Sequence, residues 1–185
     1  MKTILICITG AVAAASIPSY IMNIRGGLDA KVIVMLSKNA ARFVTPYALS
    51  LYSGNAVYTD TYESTENVLV PHIKYTQEAD IILVMPATAN IIAKAACGIC
   101  DDLISTSIIA ATAPVVFVPS MNERMWYSKP VQMNLQRIKE YGHFVVEPEK
   151  GIEISDSSES FGGMAALKTI IPLLKKFLTD ETKSI

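Results

Sequence analysis

The sequence has little of what builds a metal centre, a disulfide scaffold or a nucleic-acid surface. Its 185 residues include two histidines, three cysteines and one tryptophan, and the net charge is −1 at pH 7. No run of Lys or Arg occurs, which argues against a protein that binds nucleic acid or an anionic membrane surface electrostatically. No stretch of about 20 apolar residues lacks polar breaks, so we expect no transmembrane helix.

The three cysteines do not form a disulfide framework. Cys7 falls inside a predicted strand, and the odd count leaves a thiol over in any pairing. Such usage fits the reducing cytoplasm. Cys97 and Cys100 form a CxxC pair, but there is no second pair and no nearby histidine to complete a metal site. The pair also follows a predicted helix, whereas a redox pair would precede one. We therefore expect both to be small buried residues.

Hydrophobic residues are abundant by contrast. They make up 51% of the chain, and the mean hydropathy is +0.34. A large buried parallel sheet explains this content, and so does apolar surface covered by subunit contacts. We expect both.

Short apolar segments alternate with segments of helical periodicity. The predicted strands are residues 3–9, 31–36, 81–85, 115–118 and 144–146. The predicted helices are residues 12–25, 39–51, 89–97, 103–110, 131–141 and 164–179, the first ended by Gly26 and Gly27. Apolar strands separated by helices indicate a parallel sheet covered on both faces. We predict one α/β domain over residues 1–185, a three-layer, Rossmann- or flavodoxin-like doubly wound parallel sheet.

Two segments, 53–75 and 147–162, lack this order and are predicted to be long loops. Loops of that length in a compact domain are usually functional or mobile. From its position and polarity, we expect the second loop to take part in substrate recognition.

In a parallel sheet, ligands bind beyond the carboxyl ends of the strands. After the first strand, Gly10, Ala11 and Val12 allow close backbone approach, and the next helix offers free N–H groups to a phosphate. A mere tight turn explains these residues equally well. Because the motif is not GxGxxG, a monophosphate is favoured over a dinucleotide.

The second strand is followed by Ser37 and Asn39. Ser37 can cap the next helix or bind a phosphate. Phe43, one turn further on, lines a ring pocket or joins the core.

The third and fourth strands each end in small residues and an asparagine, Asn90 and Asn122. An asparagine side chain offers donors and an acceptor without charge, which suits a cofactor edge or a substrate amide or carboxylate. Asparagine is also a common turn residue. Two of them at adjacent strand ends indicate one shared crevice.

The two histidines differ in position. His143 lies in a predicted helix-to-strand turn and is interpreted as a surface residue. His72 lies at the end of the 53–75 segment and is the one plausible neutral base near the crevice, although a lone histidine is usually structural.

Residues 119–126, PSMNERMW, resemble the PxMNxxMW signature of the homo-oligomeric flavin-containing cysteine decarboxylases. Residues 86–91, PATANI, resemble the PASANT motif of that family, with Thr88 in place of Ser and Ile91 in place of Thr. The histidine in Val70-Pro71-His72 agrees with the family's upstream histidine. The resemblance covers roughly residues 2–175.

The resemblance implies an FMN cofactor, an active-site base at His72, and substrate contacts from Asn122, Met125 and Trp126. It implies a homotrimer, or a homododecamer built from trimers, with FMN near the trimer interface. The FMN-binding residues that it implies are Gly10, Ala11, Val12, Ser37, Asn39, Phe43, Pro86, Ala87, Thr88, Ala89, Asn90, Ser120 and Met121.

The family contains phosphopantothenoylcysteine decarboxylases of coenzyme A biosynthesis and peptidyl-cysteine decarboxylases of lantibiotic and related peptide biosynthesis. The coenzyme A branch carries a C-terminal cysteine that helps to reduce the enethiol intermediate. The matching segment here, residues 155–165, contains no cysteine, and none follows Cys100.

The resemblance therefore implies the peptidyl-cysteine branch, which oxidatively decarboxylates the C-terminal cysteine of a precursor peptide to an aminoenethiol. The alternatives are a phosphopantothenoylcysteine decarboxylase and a flavin-binding regulatory subunit without activity. The presence of both His72 and Asn122 counts against the regulatory subunit.

Overall fold

A six-stranded parallel sheet forms the centre of the protein. The computed structural model describes residues 1–62, 68–154 and 157–179. The strands are Lys2–Ile8 (β1), Ala30–Leu36 (β2), Val57–Tyr58 (β3), Ile81–Ala87 (β4), Val115–Pro119 (β5) and Phe144–Val145 (β6), in the order β3-β2-β1-β4-β5-β6. The order reverses between β1 and β4, which creates a crevice at their carboxyl ends. The predicted doubly wound α/β fold is confirmed.

Helices cover both faces of this sheet. They are Ile17–Leu28 (α1), Pro46–Ser53 (α2), Pro71–Glu78 (α3), Ala89–Cys97 (α4), Leu103–Ile109 (α5), Glu123–Trp126 (α6), Lys129–Glu140 (α7) and Leu167–Leu178 (α8). Ile4 and Ile6 of β1 belong to the core cluster that contains α1 and α8, whereas Leu5 and Cys7 belong to the cluster that contains α3, α4, α5 and α7. Because successive side chains of a strand point to opposite faces, the central strands must be apolar throughout.

The first two predicted helices have different bounds in the structure. A short 3-10 helix, Val12–Ser16, precedes α1, and α1 continues through Gly26 and Gly27 to Leu28. The predicted stop at the glycine pair is wrong, because a glycine inside a helix costs only about 1 kcal/mol relative to alanine and does not by itself end the helix. Asp29, with φ of 47°, follows as the C-cap.

The predicted helix over residues 39–51 is also wrong as one element. It divides into a 3-10 turn, Ala40–Arg42, and α2. Pro46 cannot continue a helix but suits its first turn, and Thr45 caps α2 by accepting a hydrogen bond from the backbone N–H of Ala48 at 3.1 Å.

Both predicted loops contain regular structure. The segment 53–75 includes β3 and the start of α3, with residues 63–67 outside the described ranges. The segment 147–162 includes most of an antiparallel hairpin, Glu149–Ile152 (β7) and Glu159–Gly163 (β8), with residues 155–156 outside them. The hairpin extends into the start of the helix predicted over 164–179, and α8 begins only at Leu167.

Cys97 and Cys100 are both exposed, so the prediction that they are buried is wrong. Cys97 is the last residue of α4, and Gly98 follows it in the left-handed conformation. The chain therefore turns away from the core at this point. Cys7 is buried, as its place in β1 requires.

No helix within the described ranges is long and apolar enough to cross a membrane.

His143 is half-buried, which corrects the expectation of a surface residue, and its ring lies 5.8 Å from that of Phe117. Burial lowers the pKa of His143. In the unfolded chain a histidine has a pKa of about 6.5, so the unfolded state binds more protons as the pH falls through that value. We expect the free energy of unfolding to decrease from about pH 7 to about pH 5.

Urea unfolding of the wild type and of His143→Phe at several pH values tests this expectation. The variant lacks the group whose pKa is lowered, so its free energy of unfolding is expected to depend less on pH. Equal pH dependence in the two proteins would contradict this assignment.

Candidate active site

Two adjoining cavities open at the carboxyl edge of the sheet. Cavity one, of about 560 Å³, lies beyond β1, β2 and β3 and beside the starts of α4 and α5. Cavity two, of about 710 Å³, lies between the turn after β1, the turn after β5 and the hairpin β7–β8. Gly10, Thr88, Ala89 and Met125 line both. Both volumes lie in the range of small-molecule sites.

Thr9 joins the ends of β1 and β4 at the floor of this crevice. Its hydroxyl donates to the carbonyl oxygen of Pro86 at 2.6 Å and accepts from the backbone N–H of Thr88 at 3.0 Å. The Thr88 hydroxyl in turn caps α4 by accepting from the N–H of Ile91 at 3.4 Å. Thr9 is not among the residues that the sequence singles out, although it directly follows β1.

Gly10 is packed against the turn that follows β2. A Cβ at this position would lie 2.6 Å from Cβ of Asn39, closer than real Cβ atoms approach. The two turns therefore meet without a side chain between them, and the backbone is open to the crevice. This arrangement matches a cradle for a phosphorylated ligand.

For Ser37 and Phe43 the sequence alone is compatible with two roles each. The Ser37 hydroxyl accepts from the N–H of Ala40 at 3.2 Å, so it caps the 3-10 turn, and the side chain also lines cavity one. Phe43 is 42% exposed and lines cavity two. Its ring therefore borders the cavity and is not part of the buried core.

Most of the predicted site residues meet in the two cavities. Those that line cavity one are Gly10, Ser37, Asn39, Thr88, Ala89, Asn90 and Met125. Those that line cavity two are Gly10, Ala11, Val12, Phe43, Thr88, Ala89, Ser120, Met121, Asn122 and Met125. Small residues beside an aromatic ring, two methionines and uncharged polar groups fit a flat heterocycle that carries a phosphorylated side chain.

Four predicted site residues are not among those that line the cavities: Pro86, Ala87, Trp126 and His72. Pro86 and Ala87 are buried in β4, and the carbonyl oxygen of Ala87 accepts from the N–H of Ser120 at 3.1 Å. Trp126 is buried, with its ring 6.3 Å from that of Phe161 in β8. These three residues are therefore buried next to residues that line the cavities, and are not themselves part of the lining.

His72 is the second residue of α3 and is half-buried. Its Nδ1 atom is buried and has no hydrogen-bond partner among the described residues. Buried polar atoms are normally bonded, so an orphaned imidazole nitrogen requires an explanation. Helix α3 packs against α5, whose first residues line cavity one.

A pair of tyrosines fixes α3 beside the end of β3. The hydroxyls of Tyr58 and Tyr75 are 2.7 Å apart, and their rings are 5.0 Å apart. Burial, followed by the hydrogen bond with Tyr58, raises the pKa of Tyr75. The residues immediately after Tyr58 line cavity one, so the pair connects that wall to the helix that carries His72.

Lys94 and two aspartates form an ion-pair cluster at the edge of cavity one, and no sequence motif indicates it. The Lys94 Nζ atom lies 2.6 Å from a carboxylate oxygen of Asp101 and 2.6 Å from one of Asp102. Burial opposes ionisation of Asp102, but hydrogen bonds from Lys94 and Ser105 hold its pKa below the usual value. The ammonium is thus neutralised within the chain.

Asn122 has both ends of its amide engaged. Its Oδ1 accepts from the N–H of Arg124 at 2.9 Å as the N-cap of α6, and its Nδ2 donates to Oε1 of Glu153 at 2.7 Å. Asn90 lines cavity one and Asn122 lines cavity two. The two asparagines therefore lie in adjoining parts of one crevice, as expected.

Comparison with known proteins agrees with this geometry. A family model described as Flavoprotein matches residues 1–179. The chain is similar to the coenzyme A biosynthesis bifunctional protein CoaBC of Bacillus subtilis (strain 168), with 33% identity over 99% of this chain and 45% of that protein. The chain thus spans less than half the length of this curated relative.

Two solved structures are similar over nearly their whole length. One is the crystal structure of the FMN-dependent cysteine decarboxylase SpaF, with 27% identity, a TM-score of 0.82, and coverage of 96% of this chain and 98% of that chain. The other is a variant of EpiD in complex with the substrate peptide DSYTC, with 27% identity, a TM-score of 0.83, and coverage of 95% and 99%.

Proposed function

The chain belongs to the Flavoprotein family, and on that premise we propose that it oxidatively decarboxylates the C-terminal cysteine of a precursor peptide. Its cofactor is FMN. We place the reaction in the biosynthesis of a peptide natural product in the cytoplasm, carried out by one flavoprotein domain. The peptide assignment is consistent with the likeness to the EpiD variant that binds the peptide DSYTC.

One observation carries the choice of branch: the hairpin that borders cavity two contains no cysteine, and no cysteine occurs after Cys100. A reaction that ends in a saturated thiol needs the two electrons to return from the cofactor to the enethiol, with a proton supplied by a group near the substrate such as a thiol. Without such a thiol, the reaction stops at the aminoenethiol, and an external oxidant such as dioxygen must restore the cofactor.

The proposed roles follow from the crevice. Gly10, Ser37 and Thr88 would hold FMN through the turns after β1, β2 and β4. When bound there, FMN supplies the acceptor for the two electrons that the cysteine loses. The remaining contribution of the protein is to place the substrate and to stabilise charge.

Asn122 binds the carboxylate of the substrate cysteine through Nδ2, and Met125 borders the thiol. His72 accepts the proton released when the thiol side chain is oxidised to a thioaldehyde. The adjacent C=S group then takes up the electron pair of the breaking C–C bond, so CO₂ leaves and an aminoenethiol remains.

His72 does not line the cavities of a single chain, so its proposed role requires that an assembly bring it to the crevice. We propose a homotrimer, or a homododecamer built from trimers, in which a subunit contact completes the site. Exposed apolar side chains support such contacts: Tyr47 is 74% exposed and Leu51, one turn along α2, is 63% exposed.

Product masses test the function. The flavin-containing protein is incubated in air with a Cys-terminated peptide and, separately, with phosphopantothenoylcysteine. We expect the peptide to lose the mass of CO₂ and two hydrogens and the small substrate to remain unchanged. Conversion of the small substrate with loss of CO₂ alone, while the peptide is untouched, would contradict the proposal.

That contrary result describes the second candidate, a phosphopantothenoylcysteine decarboxylase. The 33% identity with CoaBC over almost the whole chain favours it. The missing C-terminal cysteine counts against it, since the reductive half of that reaction would lack its thiol. A flavin-binding subunit without activity is the third candidate, and it requires neither His72 nor Asn122.

A further inference from the structure

The side-chain amide of Asn122, which the proposed function assigns to the substrate carboxylate, is bound by a carboxylate of the chain itself, that of Glu153. Oε1 of Glu153 accepts a hydrogen bond from Nδ2 of Asn122 at 2.7 Å and from the hydroxyl of Ser160 at 2.9 Å. Because Oδ1 of Asn122 is held by the N–H of Arg124, only the Nδ2 end of the amide faces Glu153. The contact shows that this position binds a carboxylate.

Two hydrogen bonds hold the backbone of Glu153 itself. The N–H of Glu153 donates to the carbonyl oxygen of Ser158 at 2.8 Å, and the N–H of Ser157 donates to the carbonyl oxygen of Glu153 at 2.9 Å. These two hydrogen bonds fix the backbone of Glu153, which presents its side chain to Asn122.

The base of the hairpin is attached separately. The N–H of Met121 donates to the carbonyl oxygen of Gly162 at 3.0 Å. Gly162 has a φ of 122°, and a Cβ there would lie 2.2 Å from the carbonyl oxygen of Met121. The contact between Glu153 and Asn122 can thus break while the hairpin stays attached to the turn after β5.

Charge makes the position exclusive. Among the described residues that line cavity two, Glu153 is the one charged side chain. No Lys or Arg is among the described residues that line cavity two, so no side chain of that lining balances a second anion, and two carboxylates in contact repel each other even at this solvent-exposed position. Asn122 can therefore hold Glu153 or a substrate carboxylate, but not both.

We propose that Glu153 is a specificity-determining residue that holds the carboxylate position at Asn122 until the terminal carboxylate of a peptide displaces it. The displacing group is taken from the proposed function, on which this inference rests. Free cysteine carries the same carboxylate but cannot contact the hairpin along a peptide chain. It therefore lacks the additional binding energy that offsets the loss of the Glu153 contact, and Glu153 selects peptides over small cysteine compounds.

Binding of unreactive peptides tests the proposal without turnover. A peptide ending in serine, which has no thiol to oxidise, is made with a free C-terminal carboxylate and as the C-terminal amide. Dissociation constants are measured on the flavin-containing wild type, Glu153→Ala and Glu159→Ala. Glu159 is exposed on the same hairpin, so its replacement removes an equal charge without touching the Asn122 contact.

We expect Glu153→Ala to bind the carboxylate peptide about tenfold more tightly than the wild type, as removal of a charged competitor predicts. Binding of the amide peptide should stay unchanged, and Glu159→Ala should match the wild type with both peptides. In turnover assays Glu153→Ala should show a lower KM for Cys-terminated peptides and measurable decarboxylation of free cysteine.

Weaker binding of the carboxylate peptide by Glu153→Ala, or an equal change for both peptides, would overturn the role of Glu153. If wild-type turnover of Cys-terminated peptides persists in that case, the proposed function stands and only this inference fails. Absence of peptide binding and turnover in every protein would overturn both.

Discussion

A His72→Asn variant is expected to purify with its flavin and to decarboxylate Cys-terminated peptides roughly 10²–10⁴-fold more slowly than the wild type, the usual contribution of a general base. Asparagine keeps much of the shape of the imidazole and a polar atom near the position of Nδ1, but it cannot accept a proton. Because the Nδ1 atom is buried without a partner among the described residues, the substitution removes no observed side-chain hydrogen bond. Initial rates of CO₂ release measure the loss of activity, and the flavin absorbance per subunit measures whether the cofactor is retained.

His143→Asn is the matched control, since the chain has only these two histidines. His143 packs on Phe117 and directly precedes the amino end of β6, whereas the cavities lie at the carboxyl ends of the strands. The control should keep its decarboxylation rate. A His72→Asn variant with the full rate would remove His72 from the mechanism, and loss of flavin in that variant would assign it a binding role.

A Gly10→Ala variant is expected to fold but to bind FMN at least about tenfold more weakly. The loss of one strong hydrogen bond to the cofactor is enough to raise the dissociation constant by this factor. The added Cβ would lie 2.6 Å from Cβ of Asn39 and 3.1 Å from its carbonyl carbon. The turns after β1 and β2 must then separate, and both contribute to the walls of the crevice. The flavin content of the purified protein and titration of the apoprotein with FMN measure the change.

Gly26→Ala is the control for the effect of removing a glycine. Gly26 lies inside α1, where an added Cβ meets nothing within 4 Å. The helix should become more stable by roughly 0.5–1 kcal/mol, and FMN affinity should not change. Normal FMN affinity in Gly10→Ala would show that the close approach of the two turns is unrelated to the cofactor.

The sequence predicts the central strands and several residues that line the crevice because both depend on strong local patterns. The strands β1, β2, β4 and β5 are continuous apolar segments, and parallel strands bring the residues that follow them to one edge. Gly10, Ser37, Asn90 and Asn122 could therefore be expected together before any contact was known.

The hairpin and α3 could not be predicted in this way. The strand β7 alternates between half-buried and exposed residues, and β8 contains two glycines, so neither carries an apolar pattern. The hairpin is held by tertiary contacts, such as that of Gly162 with Met121. Helix α3 buries little besides Pro71, Tyr75 and Thr76, and the Tyr58–Tyr75 pair that anchors it spans two elements.

The position of Glu153 could not be predicted for the same reason, because it depends on the hairpin. In the sequence it is one acidic residue in a polar segment, and only the pairing of β7 with β8 brings it to Asn122. The exposure of Cys97 and Cys100 likewise depends on where α4 ends relative to the core, which the CxxC spacing does not specify.

The fate of the two electrons distinguishes an oxidative decarboxylation from one that ends in a saturated thiol. The flavin-containing protein is mixed with excess Cys-terminated peptide without oxygen, and released CO₂ and flavin absorbance are followed together. We expect one CO₂ per flavin, a flavin that becomes reduced and remains so, and renewed turnover when air is admitted. Continued CO₂ release without oxygen, with the flavin oxidised throughout, would show that the chain returns the electrons to its product and would contradict an oxidative decarboxylation.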